Sequence, residues 1–191
     1  MKTKLSVLAI SVGFLFFLSD GSVAQPYHRL AARDFAGSPT TEAGYAAYTN
    51  CYVSYSYRAS RYNGNYSIDF SVQLYLNTNK SWIRFNEVNN REMLLGVLRH
   101  EQGHYNMAYL MKNELYSVFT HHRYSANYQA EVVLLFKQVE TKYHQLNDDY
   151  ESQTQHMANV KNQEKWNLWF EKQLDNAQVA DNRHNGDRLP Y

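Results

Sequence analysis

His100-Glu101-Gln102-Gly103-His104 sets two imidazoles and a carboxylate at spacings that suit metal chemistry. On a helix, residues i and i+4 share a face, so His100 and His104 can aim ring nitrogens at one divalent ion. Imidazole nitrogen is a preferred zinc ligand, and a carboxylate beside the ion can take a proton from a water that the metal has acidified. The expectation is a zinc-dependent hydrolysis of peptide bonds, one zinc per chain, with Glu101 as general base. The bland explanation is two ordinary helix histidines, one packed and one solvated. Met93, Val97, Met107, Ala108 and Met111 lie on the same stripe, broken only at Gly96, and place both histidines on the buried side. Buried imidazoles beside a buried carboxylate are costly unless paired or metal-bound, which favours the metal.

Catalytic zinc takes three protein ligands and leaves one position open. His121 and His122 fall in the break at the far end of the motif helix, and a rise of 1.5 Å per residue puts His121 roughly 25 Å from His104. His156 follows a chain reversal expected near 147–150, which can return it to the metal. Glu131 and Glu140 compete, because a carboxylate also serves as third ligand. Tyr150, six residues before His156, is the candidate donor to a developing oxyanion. Gly103 lies between the two histidines and costs about 1 kcal/mol of helix propensity, acceptable where another group must approach closely.

The elements that must position these groups follow from periodicity. AGYAAYTNCYVSYSYR (43–58) alternates from Thr49 onward as a half-buried strand does. Asn63-Gly64 predicts a hairpin turn, and YSIDFSVQLYLN returns with Ile68, Phe70, Val72, Leu74 and Leu76 on one face. SWIRF (81–85) reads as a third strand, in which Ser81, Trp82 and Ile83 could hold a substrate by strand addition. LAARDFAG is a candidate further strand. The period then changes. Asn89 or Asn90 can cap a helix over about 91–119, followed by helices near 127–146 and 150–178. Strands followed by helices covering one face predict an α+β domain, with an antiparallel sheet of three or more strands packed on the motif helix.

Residues 1–24 read as an export signal. Lys2 and Lys4 precede an apolar run of about fourteen residues, shorter than the ~20 of a spanning helix, and Ser22-Val23-Ala24 is a small-residue cleavage site. The expected domain is 25–179, with a weakly patterned tail over 180–191. Removing Lys2, Lys4 and Asp20 from 19 basic and 18 acidic residues leaves 17 of each, so nothing suggests nucleic acid or an anionic membrane as partner. The expected partner is a peptide or protein substrate, the expected location periplasmic or extracellular, and no stable membrane anchor remains after cleavage. Cys51 is the single cysteine, so no internal disulfide holds the fold.

The segment from about 34 to 173 resembles the DUF922 family of exported bacterial proteins, regarded as secreted zinc-dependent proteases. The resemblance rests on Asp34-Phe35-Ala36-Gly37, the YVSYSY strand, Lys80-Ser81-Trp82, HEQGH running into Tyr105-Asn106-Met107-Ala108, and Tyr150-x-x-x-Thr154-x-His156. The chain departs from the family in having Tyr-Asn-Met-Ala after the motif, and Met157 where glycine often follows the histidine. The resemblance implies a zincin-like fold with an edge strand over the motif helix, and it too points to His156 as a ligand. Two other functions fit the same residues: a zinc-stabilised envelope module without catalysis, and a zinc amidase acting on cell-wall peptides.

Overall fold

The computed structural model describes residues 27–39 and 45–186, with side chains of the last helix described as far as Ala177. The export signal expected over 1–24 lies outside the described residues. β1 (Ala47–Tyr48), β2 (Cys51–Tyr62), β3 (Asn65–Leu76) and β4 (Trp82–Ile83) precede α1 (Arg91–His121), α2 (Tyr128–Thr154) and α3 (Val160–Gly186). α3 therefore continues as helix past residue 179. Among the described residues no helix is long and apolar enough to cross a membrane.

β2 and β3 form the expected hairpin, in register from Cys51↔Leu76 to Tyr62↔Asn65. Asn63 and Gly64 both take positive φ (48° and 83°), as a two-residue turn matched to strand twist requires. Cys51 and Val53 on one strand, with Phe70, Val72 and Leu74 on the other, are buried on the hairpin's inner face. That face packs on α1, where Phe70 stacks on Phe119 at 4.5 Å between ring centroids.

The single sheet of three or more strands does not form. There are two separate two-stranded sheets, β1–β4 and β2–β3, and all three helices pack together behind them. Cys51 pairs with Leu76, but Ala47, four residues earlier, pairs with Ile83, seven residues later, so three extra residues are looped out between β3 and β4. Local bonds hold this break: Lys80 and Ser81 amides donate to the Asn77 carbonyl, and the Ser81 hydroxyl accepts from the Asn50 amide at 2.9 Å. The ladder therefore stops and restarts in a new register. LAARDFAG is not a strand either. It forms a 3-10 turn over Ala32–Asp34, closed by a 2.7 Å bond from the Ala31 amide to Asp34.

α1 starts where the sequence predicts, with the Asn90 side chain accepting from the Met93 amide at 2.8 Å. It is the central element: residues 105–112 are buried on every side of the helix. The expected reversal at 147–150 lies eight residues late, because α2 runs through Asn147-Asp148-Asp149 to Thr154. Those three residues are poor helix formers, but burial of Tyr150 and Thr154 overrides their propensity. The chain turns instead at Gln155, His156 and Met157, all left-handed (φ 50°, 52° and 73°). Each such non-glycine residue costs on the order of 1 kcal/mol, so the turn holds only because its surroundings impose it.

α1 and α2 meet at Gly103. A Cβ there would lie 2.3 Å from the Tyr150 hydroxyl oxygen and 2.5 Å from its ring carbon Cζ. Tyr150 is fully buried and has nowhere to retreat. The glycine inside the motif is thus the space that Tyr150 occupies. Overpacking of this kind costs about 1–3 kcal/mol, more than the ~1 kcal/mol that alanine gains in helix propensity. Gly103→Ala should therefore lower the urea midpoint of unfolding. A raised midpoint, as expected for a solvent-facing helix glycine, would contradict the contact.

Candidate metal centre

One turn apart on α1, His100 and His104 present their rings at 5.0 Å and nearly perpendicular. Glu151, from the last turn of α2, closes the group. Its Oε1 lies 2.7 Å from His104 Nε2 and 3.5 Å from His100 Nε2. One ligand atom from each of the three lies within 4.8 Å of the others, a His–His–Glu cluster able to chelate a metal ion. Both imidazoles are held from behind: His100 Nδ1 bonds to Gln163 Oε1 at 3.0 Å and His104 Nδ1 to Asn147 Oδ1 at 2.8 Å. An amide oxygen only accepts, so each Nδ1 carries the proton and each Nε2 faces the common point.

Charge in the cluster is tightly coupled. Burial alone would lower the His104 pKa, but the bond and charge of Glu151, with Glu101 behind it, outweigh burial and carry it to about 9. Burial likewise raises Glu151, and its bonds to His100 and His104 reverse this, holding the carboxyl well below the usual range. The second oxygen, Oε2, is buried and has no hydrogen-bond donor. His156 Nδ1 touches it, in an orientation that makes no hydrogen bond. A cation at the cluster would lie against Oε1, the oxygen that faces both Nε2 atoms. Two neutral imidazoles and one carboxylate are also a donor set that divalent zinc accepts. The residues present fit a metal.

Glu101 lies beside the cluster, 4% exposed, and accepts a 2.6 Å bond at Oε2 from the Thr49 hydroxyl. It lines one cleft together with His100, His104 and Glu151, roofed by the segment 45–49 and by His156. Tyr45 meets the His156 ring edge-on at 5.0 Å, which anchors the strained turn over the site.

Of the other expected site residues, His156 borders the same cleft and the rest lie away from it. The structure brings Glu151, not His156, to the histidine pair; His156 sits in the reversal itself, at the outer side of Glu151. Glu131 bonds to His122 and Ser125 at the far end of α1, and Glu140 is three turns back along α2, beside Tyr55. The Tyr150 hydroxyl does not reach the cleft. It is buried, donates to the His100 carbonyl at 2.9 Å, and its ring stacks on the His100 ring at 4.9 Å. Trp82 and Ile83 are buried in β4 and Ser81 just before it, with the Ser81 carbonyl taken by the Gly37 amide at 2.8 Å. β1, not β4, borders the cleft.

Glu151, Asn147, Gln163 and Thr49 are the site residues that sequence reasoning did not select. Asn147 and Glu151 are spaced i, i+4, the same signal as the histidine pair, but it is visible only if α2 is carried past Leu146. Nothing in the sequence marks Gln163 or Thr49.

This is an α+β domain built around one helix that carries a candidate His–His–Glu metal centre. The chain belongs to the DUF922 family, bacterial proteins of unknown function, whose model matches residues 19–157. Comparison with curated proteins and with solved structures gives no match.

The charge state of the cluster predicts a proton release. With its pKa at about 9, His104 is a cation at pH 7 in the metal-free protein, and only the neutral ring can ligate. Uptake of a divalent metal at pH 7 should expel close to one proton per ion, read by calorimetry in two buffers of different ionisation enthalpy. Apparent affinity should climb with pH and level off near 9. Without metal the sign is opposite: the His104 contribution to stability is complete below its ordinary 6.5 and is lost as pH rises through about 9. Metal uptake with no proton release at pH 7 would show that the Glu151–His104 pair is not formed.

Proposed function

We propose that the chain is an exported zinc-dependent peptidase, in which His100, His104 and Glu151 hold the ion and Glu101 is the general base. The observation that carries this reading is the placement of Glu101: buried, oriented by Thr49, and facing the same cleft as the cluster without belonging to it. Glu101 bonds to a neutral hydroxyl, and the cation whose charge it feels is the cluster's own His104. Bound zinc would supply Lewis acidity, lowering the pKa of a water and polarising the scissile carbonyl.

The chain's own residues do the rest. Glu101 accepts the proton of the attacking water and can return it to the leaving amine. Thr49 holds the carboxylate in one rotamer through its 2.6 Å bond. Tyr150 fixes the His100 backbone and ring, and His156 backs the outer oxygen of Glu151. For the substrate, β1 takes the role expected of β4. The Arg84 amide bonds to the Ala46 carbonyl, so the Ala47 amide and carbonyl point away from β4, along the edge bordering the cleft. An extended peptide can add there by main-chain bonds. Among the described lining residues there is no Lys or Arg to hold a terminal carboxylate, which favours cleavage within a chain.

Glu101→Gln keeps the size of the side chain and an acceptor for Thr49, so metal content and fold should survive. Activity on unfolded or extended peptides should fall roughly 10²–10⁴-fold, the usual share of general base catalysis. Peptide cleavage by the wild type that persists at full rate in Glu101→Gln would remove Glu101 from the reaction. Metal-loaded wild type that cleaves nothing in a broad peptide library would favour a binding module.

A further inference from the structure

The family match ends at residue 157, and α3 lies wholly beyond it. We propose that α3 is nevertheless part of the metal site, and that Gln163 is the positioning residue that sets the tautomer of His100. The proposal rests on the metal reading above and adds to it a residue that neither the motif nor the family match includes.

Gln163 is 4% exposed, so its amide must find partners inside the protein. It finds them in one arrangement. Nε2 donates to the Tyr150 hydroxyl at 2.9 Å and to Asn167 Oδ1 at 3.0 Å, and Oε1 lies 3.0 Å from His100 Nδ1. Tyr150 decides the direction. Its hydroxyl proton goes to the His100 carbonyl at 2.9 Å, leaving the oxygen free to accept from Gln163 Nε2. Flipping the amide would cost the Tyr150 hydroxyl its bond to the His100 carbonyl and set Oε1 against the Asn167 oxygen. With Oε1 fixed toward His100, Nδ1 holds the proton and the Nε2 lone pair points to Glu151 and His104.

The same helix supports Tyr150 itself. Trp166 and Phe170 meet the Tyr150 ring edge-on at 5.4 and 5.7 Å. His104 is served differently: its Nδ1 partner, Asn147, is on α2 and inside the matched span. One ligand is thus oriented from within the family's segment and the other from α3.

The competing explanation is that Gln163 only joins α3 to the helix pair, as any satisfied buried amide does. Zinc affinity of the full mature chain, measured by competition with a chromophoric chelator, separates the two. Gln163→Leu removes the acceptor and should weaken zinc binding about 10–100-fold, the usual range for such partners. Gln163→Glu keeps an acceptor for His100 Nδ1 but sets its second oxygen against Asn167 Oδ1, so it should bind zinc less tightly than wild type and more tightly than Gln163→Leu. A merely structural role predicts the reverse order, because a buried carboxylate disturbs packing more than leucine does. Should the leucine variant not fold, the glutamate variant decides alone. The proposal is overturned by unchanged affinity in Gln163→Leu, or by a Gln163→Glu chain that loses zinc or its fold. Failure of the wild type to bind zinc would remove the metal reading itself, a result distinguishable from either.

Discussion

The structure depends on one buried charge, the Glu151 carboxylate set between two imidazoles. A carboxylate drawn partly out of water in this way is stabilised by a cation against it. In the metal-free protein the proton on His104 supplies that cation against Oε1, while Oε2 lies against His156. A divalent ion would replace the proton with a stronger charge at the same point. The three helices converge there for this reason: α1 brings the imidazoles, α2 the carboxylate and Asn147, and α3 the amide behind His100.

Packing at Gly103 makes the convergence possible. Without a side chain at that position, the Tyr150 ring reaches the α1 backbone, stacks on His100 and bonds to its carbonyl. Tyr150 and Glu151 are neighbours on α2, so the contact that seats the tyrosine also delivers the carboxylate to the histidines. α2 must stay helical through Asn147-Asp148-Asp149 for this to happen, and the strained turn at residues 155–157 is the consequence of holding it there.

Much of this was legible in the sequence, and the gaps have physical causes. The hairpin was readable because alternation and Asn63-Gly64 are local signals, and the motif helix because its cap and stripe are local too. Glu151 was not selected because Asn147-Asp148-Asp149 has the composition of a break, and only the tertiary burial of Tyr150 and Thr154 keeps it helical. The strand pairing failed at one point: three looped-out residues before β4 change the register, and residue patterning carries no information about them. Ser81–Ile83 was assigned to the cleft edge for the same reason, although the β1 segment occupies it. Tyr150 reads from the sequence as an oxyanion donor, whereas its hydroxyl is buried on the His100 carbonyl, through a contact with Gly103 that exists only once two helices are packed.

The central claim is that His100, His104 and Glu151 form one metal site. Anomalous diffraction at the zinc edge, from crystals of the purified mature protein grown with micromolar zinc, tests it most directly. The account predicts one strong peak bonded to Nε2 of both histidines and to the Glu151 carboxylate, at the ~2.0–2.2 Å separations of zinc–nitrogen and zinc–oxygen bonds. A peak ligated by other residues, or folded protein with no peak at the cluster, would contradict it.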